Sequence, residues 1–201
     1  MEDKVAVSHY FIEDPNLAHQ VEAFSYYFGD RRFQFESDAG VFSPGHVDPA
    51  TDLLLHQLPA LSGEVLDLGC GWGPVGIVLG ALYPETARIT MYDVNGRALA
   101  LAERNSRANG VEAACVLSDG FEGLEGPFDA VVLNPPIHAG KSVIFGLYEG
   151  AFSHLREKGR LFVVIQKKHG AESTIARLEE LFGGCEILYR KKGMYVLEAR
   201  K

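Results

Sequence analysis

The sequence predicts an α/β fold, a mostly parallel sheet with helices on both faces, and three observations lead there. From Val65 onward, short apolar runs alternate with stretches of helical periodicity. Leu161-Phe162-Val163-Val164-Ile165 is apolar throughout, as a central strand covered on both faces must be. The last two strand-like runs are joined only by Lys191-Lys192-Gly193-Met194, short enough to demand an antiparallel hairpin. With 201 residues, 47% of them apolar and 23% charged, the chain is long enough to bury most of its surface in one globular fold.

The elements follow in order. Residues 1–60 read as an N-terminal extension, and 61–201 as the main domain. In the extension, residues 33–35 and 41–43 flank Asp38-Ala39-Gly40 as a predicted hairpin, and residues 49–58 predict a helix turning Leu53, Leu54 and Leu58 inward. Its expected role is a lid packed on the core. Residues 65–68 form the first strand, 73–82 a helix that stops near Pro84, and 89–94 the second strand. Residues 98–109 then read as a helix ended by Gly110, followed by strands at 113–117 and 130–133. A helix at 143–155 precedes the Lys158-Gly159 turn and the strand 161–165; a helix at 174–182 leads to strands at 186–190 and 195–199.

Composition excludes several classes. No apolar run approaches the roughly 20 residues of a membrane helix, and Glu2 and Asp3 sit where a secretory signal would be basic and then apolar. A soluble, cytoplasmic protein with no membrane partner is expected. Cys70, Cys115 and Cys185 are odd in number and widely spaced, which argues against disulfides and a thiolate metal site, and the seven histidines form no ligand-spaced pair, so no metal is expected. A net charge of −8 gives no global field to attract nucleic acid. RNA contact would have to be local, at Arg31-Arg32, Lys167-Lys168-His169, Arg190-Lys191-Lys192 or Arg200-Lys201, although solvated surface charge is the default explanation for each.

Asp67-Leu68-Gly69-Cys70-Gly71-Trp72-Gly73 joins the first strand to the helix after it. Its glycines let the backbone turn sharply and approach a ligand. Gly71, Gly73 and Gly76 also satisfy the dinucleotide pattern, so a nicotinamide-dependent dehydrogenase competes. Three features favour S-adenosylmethionine. Asp67 would sit poorly beside a pyrophosphate but suits a cationic aminoacyl group; Asp93, followed by Val94 and Asn95, ends the second strand where ribose hydroxyls bind, a feature shared with NAD sites that discriminates little; Asp119 and Gly120, with Phe121, end the third where an adenine amino group can be met. Helix caps or solvated loops are the ordinary alternative for each acid.

Asn134-Pro135-Pro136-Ile137 closes the strand 130–133, at the edge of the sheet where chemistry occurs. An amino nitrogen on an aromatic ring is a poor nucleophile because its lone pair is delocalised. Acceptors on the Asn134 side chain and the Pro135 carbonyl would hold its two N–H groups and aim the lone pair at a methyl carbon, while the prolines stiffen the backbone. No strong base is required, since the nitrogen becomes acidic only once methylated.

With these residues, and with Asp38 to Ser43, Asn105, Asn109-Gly110, Gln166-Lys167-Lys168 and Lys192 to Tyr195, the sequence resembles the small-domain methyltransferases, in particular bacterial 16S ribosomal RNA guanine-N2 methyltransferases and their single-domain relatives. The resemblance implies the Rossmann-like seven-stranded methyltransferase sheet with a C-terminal antiparallel hairpin, S-adenosylmethionine as donor, and a guanine amino group of ribosomal RNA or the small ribosomal subunit as acceptor. Asn134, Pro135 and Pro136 are then the catalytic segment. Asp67, Gly69, Cys70, Gly71, Gly73, Asp93, Val94, Asn95, Asp119, Gly120 and Asn134 face the donor, and Ile137, His138, Lys141, Phe42, Lys167 and Lys168 face the substrate. Adenine-N6 and protein-glutamine methyltransferases usually carry an aromatic where this chain has Ile137, so Phe42 or Phe121 would have to supply a platform. The two-domain members carry an additional N-terminal domain that this chain lacks, which leaves RNA selection to a homodimer or to the basic clusters. The alternatives are a glutamine or adenine-N6 methyltransferase and a catalytically silent RNA-binding module.

Overall fold

The computed structural model describes residues 17–118, 121 and 123–201. β1 (Glu22–Phe28) and β2 (Arg31–Ser37) form a separate two-stranded sheet, and α1 (Pro49–Gln57) follows. Then come β3 (Gly63–Leu68), α2 (Pro74–Leu82), β4 (Ala87–Asp93), α3 (Gly96–Ala108), β5 (Ala113–Leu117) and β6 (Phe128–Leu133). α4 (Lys141–His154), β7 (Leu155–Gln166), α5 (Ala171–Phe182), β8 (Glu186–Lys191) and β9 (Met194–Arg200) complete the chain. Seven strands make one sheet in the order β5-β4-β3-β6-β7-β9-β8, parallel except that β9 runs antiparallel to β7 and β8. The chain winds from β3 outward to β5, then returns to the other side of β3 with β6. That reversal places a crevice at the C-terminal ends of β3, β4 and β6.

Strand alternation sorts the core into two layers. Val65, Ala130, Val132, Phe162 and Val164 face α1, α2 and α3, where Leu54, Val78 and Leu101 meet them. Leu66, Val131, Leu133, Leu161 and Val163 face α4 and α5, meeting Ile144, Tyr148 and Leu178. The expected seven-stranded architecture is therefore present.

The extension differs from its sequence reading. The hairpin turns at Gly29-Asp30, not at Asp38-Ala39-Gly40, and pairs Phe24 with Phe35 and Tyr26 with Phe33. Gly29 has φ 57°, which suits a two-residue hairpin turn. Asp38-Ala39-Gly40 does turn, but against α3. Arg97 donates to the Ala39 carbonyl at 3.0 Å, the Asn95 amide donates to the Gly40 carbonyl at 3.2 Å, and the buried Asp38 carboxylate accepts the Gln20 N–H. The outer edge of β2 is closed by side chains. Asn105 of α3 and Asn109, which caps its C-terminus, each accept a β2 N–H, from Glu36 and Gln34, and donate back to the carbonyl of the same residue. These two amides imitate a third strand.

Two further boundaries move. In α1 the buried residues are Thr51, Leu54 and Leu55, whereas Leu53 and Leu58 are half-buried, because Asp48 caps the helix and sets its phase. β7 begins at Leu155 instead of 161, and runs through Lys158, at φ 66°, with a register break opposite Phe128 and Ala130. Among the described residues, no helix is long and apolar enough to cross a membrane, no His, Cys, Asp and Glu group could hold a metal ion, and all three cysteines are free.

Candidate active site

A cleft of about 840 Å³ opens at the predicted crevice. Its donor side is built from one continuous stretch. β3 ends in the loop carrying Gly69, Cys70 and Gly71, and Gly73 then caps α2. Gly69 and Gly71 both have positive φ, 71° and 57°, and a Cβ on either would meet no heavy atom within 4 Å. The space beside them is open for a ligand to lie against the backbone. Gly76 serves another purpose: a Cβ there would come within 2.7 Å of the Met91 side chain, so the glycine lets α2 lie close on β4.

Two carboxylates stand beneath this loop. Asp93 accepts the Gly71 N–H at 2.7 Å and the Asn95 N–H at 2.8 Å, fixing the loop to the end of β4. Asp67, on the α2 face of β3, accepts the Gly76 N–H at 2.8 Å. Burial pushes the Asp67 carboxyl up to about 7, against the Gly76 hydrogen bond and with help from the Asp93 charge. Burial raises Asp93 as well, although the Asn95, Gly71 and Val94 N–H groups oppose it. Two buried acids close together at the cleft favour a cationic ligand, because its charge offsets the lost hydration of the carboxylates. Burial lifts the Cys70 thiol too, so this residue packs the loop as a neutral group.

The acceptor side is assembled from distant segments. Asn134, at the end of β6, donates its amide to Thr51 Oγ1 at 3.0 Å and to Asp48 Oδ2 at 3.4 Å. The same Asp48 oxygen caps α1 by accepting the Ala50 and Thr51 N–H groups. A carboxylate can only accept, so the Asn134 nitrogen must face α1 and its oxygen is the atom left for the cleft. Pro135 is buried; the Pro136 carbonyl accepts the Ala139 N–H at 2.9 Å, and the Pro135 carbonyl takes no hydrogen bond from the described residues.

The structure brings most sequence-predicted residues together. Asp67, Gly69, Cys70, Gly71, Asp93 and Val94 line the cleft on one side, and Phe42, Asn134, Pro135, Pro136, Ile137 and His138 on the other. Gly73 and Asn95 are instead taken into the scaffold as helix caps, Asn95 accepting the Ala98 N–H at 3.1 Å. Lys141 lies outside the cleft with its ammonium over the Phe145 ring at 5.0 Å, and Lys167 and Lys168 stand on its rim, between the lining residues Gln166 and His169. Asp119 and Gly120 lie outside the described residues. Asp48 and Thr51, which hold the Asn134 amide and line the cleft, are positions the sequence reading does not single out. The Asp48-Pro49 cap signal marks a helix start, and nothing local says that it also holds Asn134.

The aromatic candidates part ways. Phe121 stacks on Tyr92 with centroids 6.3 Å apart and on His154 at 4.9 Å, and fits where Gly150 has no side chain. Phe42 is carried by the extension, and its carbonyl accepts the Trp72 indole N–H at 2.8 Å. Trp72, buried against Phe24 and Phe35, thereby clasps the donor loop to the extension.

An open, mostly parallel sheet with a glycine loop after β3 and an acid ending β4 defines the site of an S-adenosylmethionine-dependent methyltransferase. Residues 32–198 match the model of the methyltransferase small domain, and the chain belongs to that family. It is 38% identical over 198 residues to the uncharacterized protein YbxB of Bacillus subtilis, covering 96% of this chain and 98% of that protein. Against the ribosomal RNA small subunit methyltransferase C of Pseudomonas entomophila it is 33% identical over 177 residues, covering 86% of this chain but 52% of that one. Among solved structures, the T. thermophilus 16S rRNA N2 methyltransferase in complex with AdoMet and guanosine superposes with a TM-score of 0.81 at 31% identity, over 93% of this chain and 52% of that one. The chain thus spans about half the length of these two ribosomal RNA methyltransferases.

Proposed function

We propose that the protein transfers a methyl group to the exocyclic N2 amino group of guanine in 16S ribosomal RNA. The methyl donor is S-adenosylmethionine, whose sulfonium supplies an electrophilic methyl carbon when bound. The cleft suits it: the open side of Gly69 and Gly71 accommodates its aminoacyl end, Asp67 offers negative charge to its cationic groups, and Asp93 stands at the strand end where ribose hydroxyls are bound. Val94, Tyr92 and Phe121 offer apolar surface for a purine.

One observation carries the choice of chemistry, the orientation of the Asn134 amide by Asp48 and Thr51. With its nitrogen anchored, the Asn134 oxygen accepts one N–H of the incoming amino group while the Pro135 carbonyl accepts the other. Those two bonds orient the nitrogen lone pair and grow stronger as positive charge develops on it. Phe42 serves as the base platform, since Phe121 is taken up between Tyr92 and His154. Ile137, in place of an aromatic, disfavours adenine and glutamine as acceptors.

The test is incubation with labelled S-adenosylmethionine and undermethylated small ribosomal subunits, followed by nucleoside mass spectrometry. N2-methylguanine is expected, lost in Asn134→Ala while donor binding persists. Labelled N6-methyladenine or methylglutamine would overturn the reading, and donor binding without any turnover would indicate a silent RNA-binding module.

A further inference from the structure

Some basic residues are paired with carboxylates and others are not. Arg88, Arg104, Arg107 and Arg156 each meet a carboxylate, as do the less exposed Arg97 and Arg177. Lys167, Lys168, Arg190, Lys191 and Lys192 are all exposed, and none has a carboxylate partner among the described residues. Arg31, Arg32, Lys141 and Lys158 are also exposed without a carboxylate partner among the described residues, but they are spread over separate elements, whereas these five lie together in a chain of net charge −8.

They are in one place because of the topology. Gln166 of β7 pairs with Met194 of β9, which pairs with Lys191 of β8, and the Lys167 N–H donates to the Gly193 carbonyl at 2.7 Å. The β8–β9 turn therefore abuts Lys167 and Lys168 at the C-terminal end of β7. That end neighbours β6, whose last residue precedes Asn134. Gln166 and His169 line the cleft, so the ridge starts at its wall, and at the junction His169 Nδ1 is buried with no hydrogen-bond partner among the described residues.

A local conflict points the same way. Lys192 and Gly193 are the central pair of the turn, with φ of 52° and 77°. Such turns favour Asn-Gly, because a lysine in the left-handed region is strained. Lys158 sits in the same region at φ 66° away from the ridge, so the strain adds to the argument only through the position of Lys192 among the other four cations.

We propose that this ridge is the docking surface for the phosphate backbone of the RNA strand that delivers its base to the cleft. Phosphate contacts position without reading sequence, and the two cleft acceptors then inspect the base. The identity of that base rests on the function proposed above; the ridge does not.

The probe is a short fluorescein-labelled RNA hairpin with a loop guanine, titrated over a range of salt with the wild type and with the variant Lys167→Gln, Lys168→Gln, Lys191→Gln, Lys192→Asn. Each lost phosphate contact removes roughly 0.7–0.9 from the slope of log K against log salt, so the slope should flatten by about 3 and affinity fall about 10- to 100-fold at moderate salt. Calorimetric S-adenosylmethionine binding should be unchanged. Lys192→Asn alone should bind RNA more weakly while melting at a higher temperature, two effects of opposite sign that misfolding cannot produce. Unchanged slopes overturn the proposal. So does wild-type protein that binds phosphatidylserine vesicles but not RNA. If the ridge controls RNA binding yet no guanine is methylated, the ridge stands and the functional reading falls; if guanine is methylated with unchanged KM in the variant, the reverse holds.

Discussion

The donor side and the acceptor side of the cleft are built on different plans. Residues 67–76 supply β3's end, the glycine loop and the start of α2 in one stretch, tied to β4 through Asp93. The acceptor side joins Asp48 and Thr51 of the extension to Asn134 at the end of β6 and places a rim from β7 and the β8–β9 turn beside it. A contiguous motif binds a fixed, common ligand. A site gathered from several segments can change its acceptor by changing one of them, without disturbing the donor.

If the two sides are separable, substitutions should separate donor affinity from turnover. On the proposed mechanism, Asn134→Ala removes an acceptor used in the transition state and should lower kcat by about 10²- to 10³-fold, with donor affinity by calorimetry within a few-fold of wild type. A large loss of donor affinity would break the division.

Asp67 tests the donor side. Its folded pKa lies above its unfolded one, so it contributes stability that is fully present below the unfolded value of 3.8 and lost as pH rises through about 7. Melting of the ligand-free protein should therefore worsen across that window, by on the order of a few kcal/mol. Asp67→Asn should flatten the decline. Donor binding should tighten with rising pH in the wild type, with proton release seen by calorimetry in buffers of different ionisation enthalpy, and lose that dependence in the variant.

Asp48→Ala should cost about 1 kcal/mol of stability as a lost helix cap and, beyond that, lower kcat about tenfold by freeing the Asn134 amide to turn. Asp48→Asn, which keeps a capping oxygen, should restore the melting temperature. If Asp48→Ala loses stability but keeps kcat, the amide needs no anchor. The smallest effect is expected at the clasp. Trp72→Phe deletes the indole bond to the Phe42 carbonyl, worth about 1 kcal/mol, and should raise KM for RNA more than that for the donor.

The same contrast decides what could be read from the sequence. The sheet, α2 to α5 and the donor loop were legible because their signals are local: an apolar run before glycines, and Asp93 at a strand end. The hairpin was misplaced because Asp38-Ala39-Gly40 carries a genuine turn signal, with Gly40 at φ 82°, but the turn docks on α3 instead of reversing a strand. β1 went unseen because only Phe24, Tyr26 and Phe28 of its seven residues face the core. Asp48 was invisible as a partner of Asn134, since the two lie 86 residues apart and only the fold joins them.

The Asn105 and Asn109 amides, bonded along the outer edge of β2, bear on how far this molecule can be trimmed. They stitch the extension to α3, and Phe33, Phe35, Leu54 and Leu55 share one apolar core with the sheet. A shortened chain beginning at Gly63 would lose the anchor of Asn134, bare the face of the sheet that α1 covers and leave the buried Asn105 amide and the half-buried Asn109 amide without their strand. Anyone seeking a minimal catalyst should expect an aggregating fragment, and should cut before β1, not after α1.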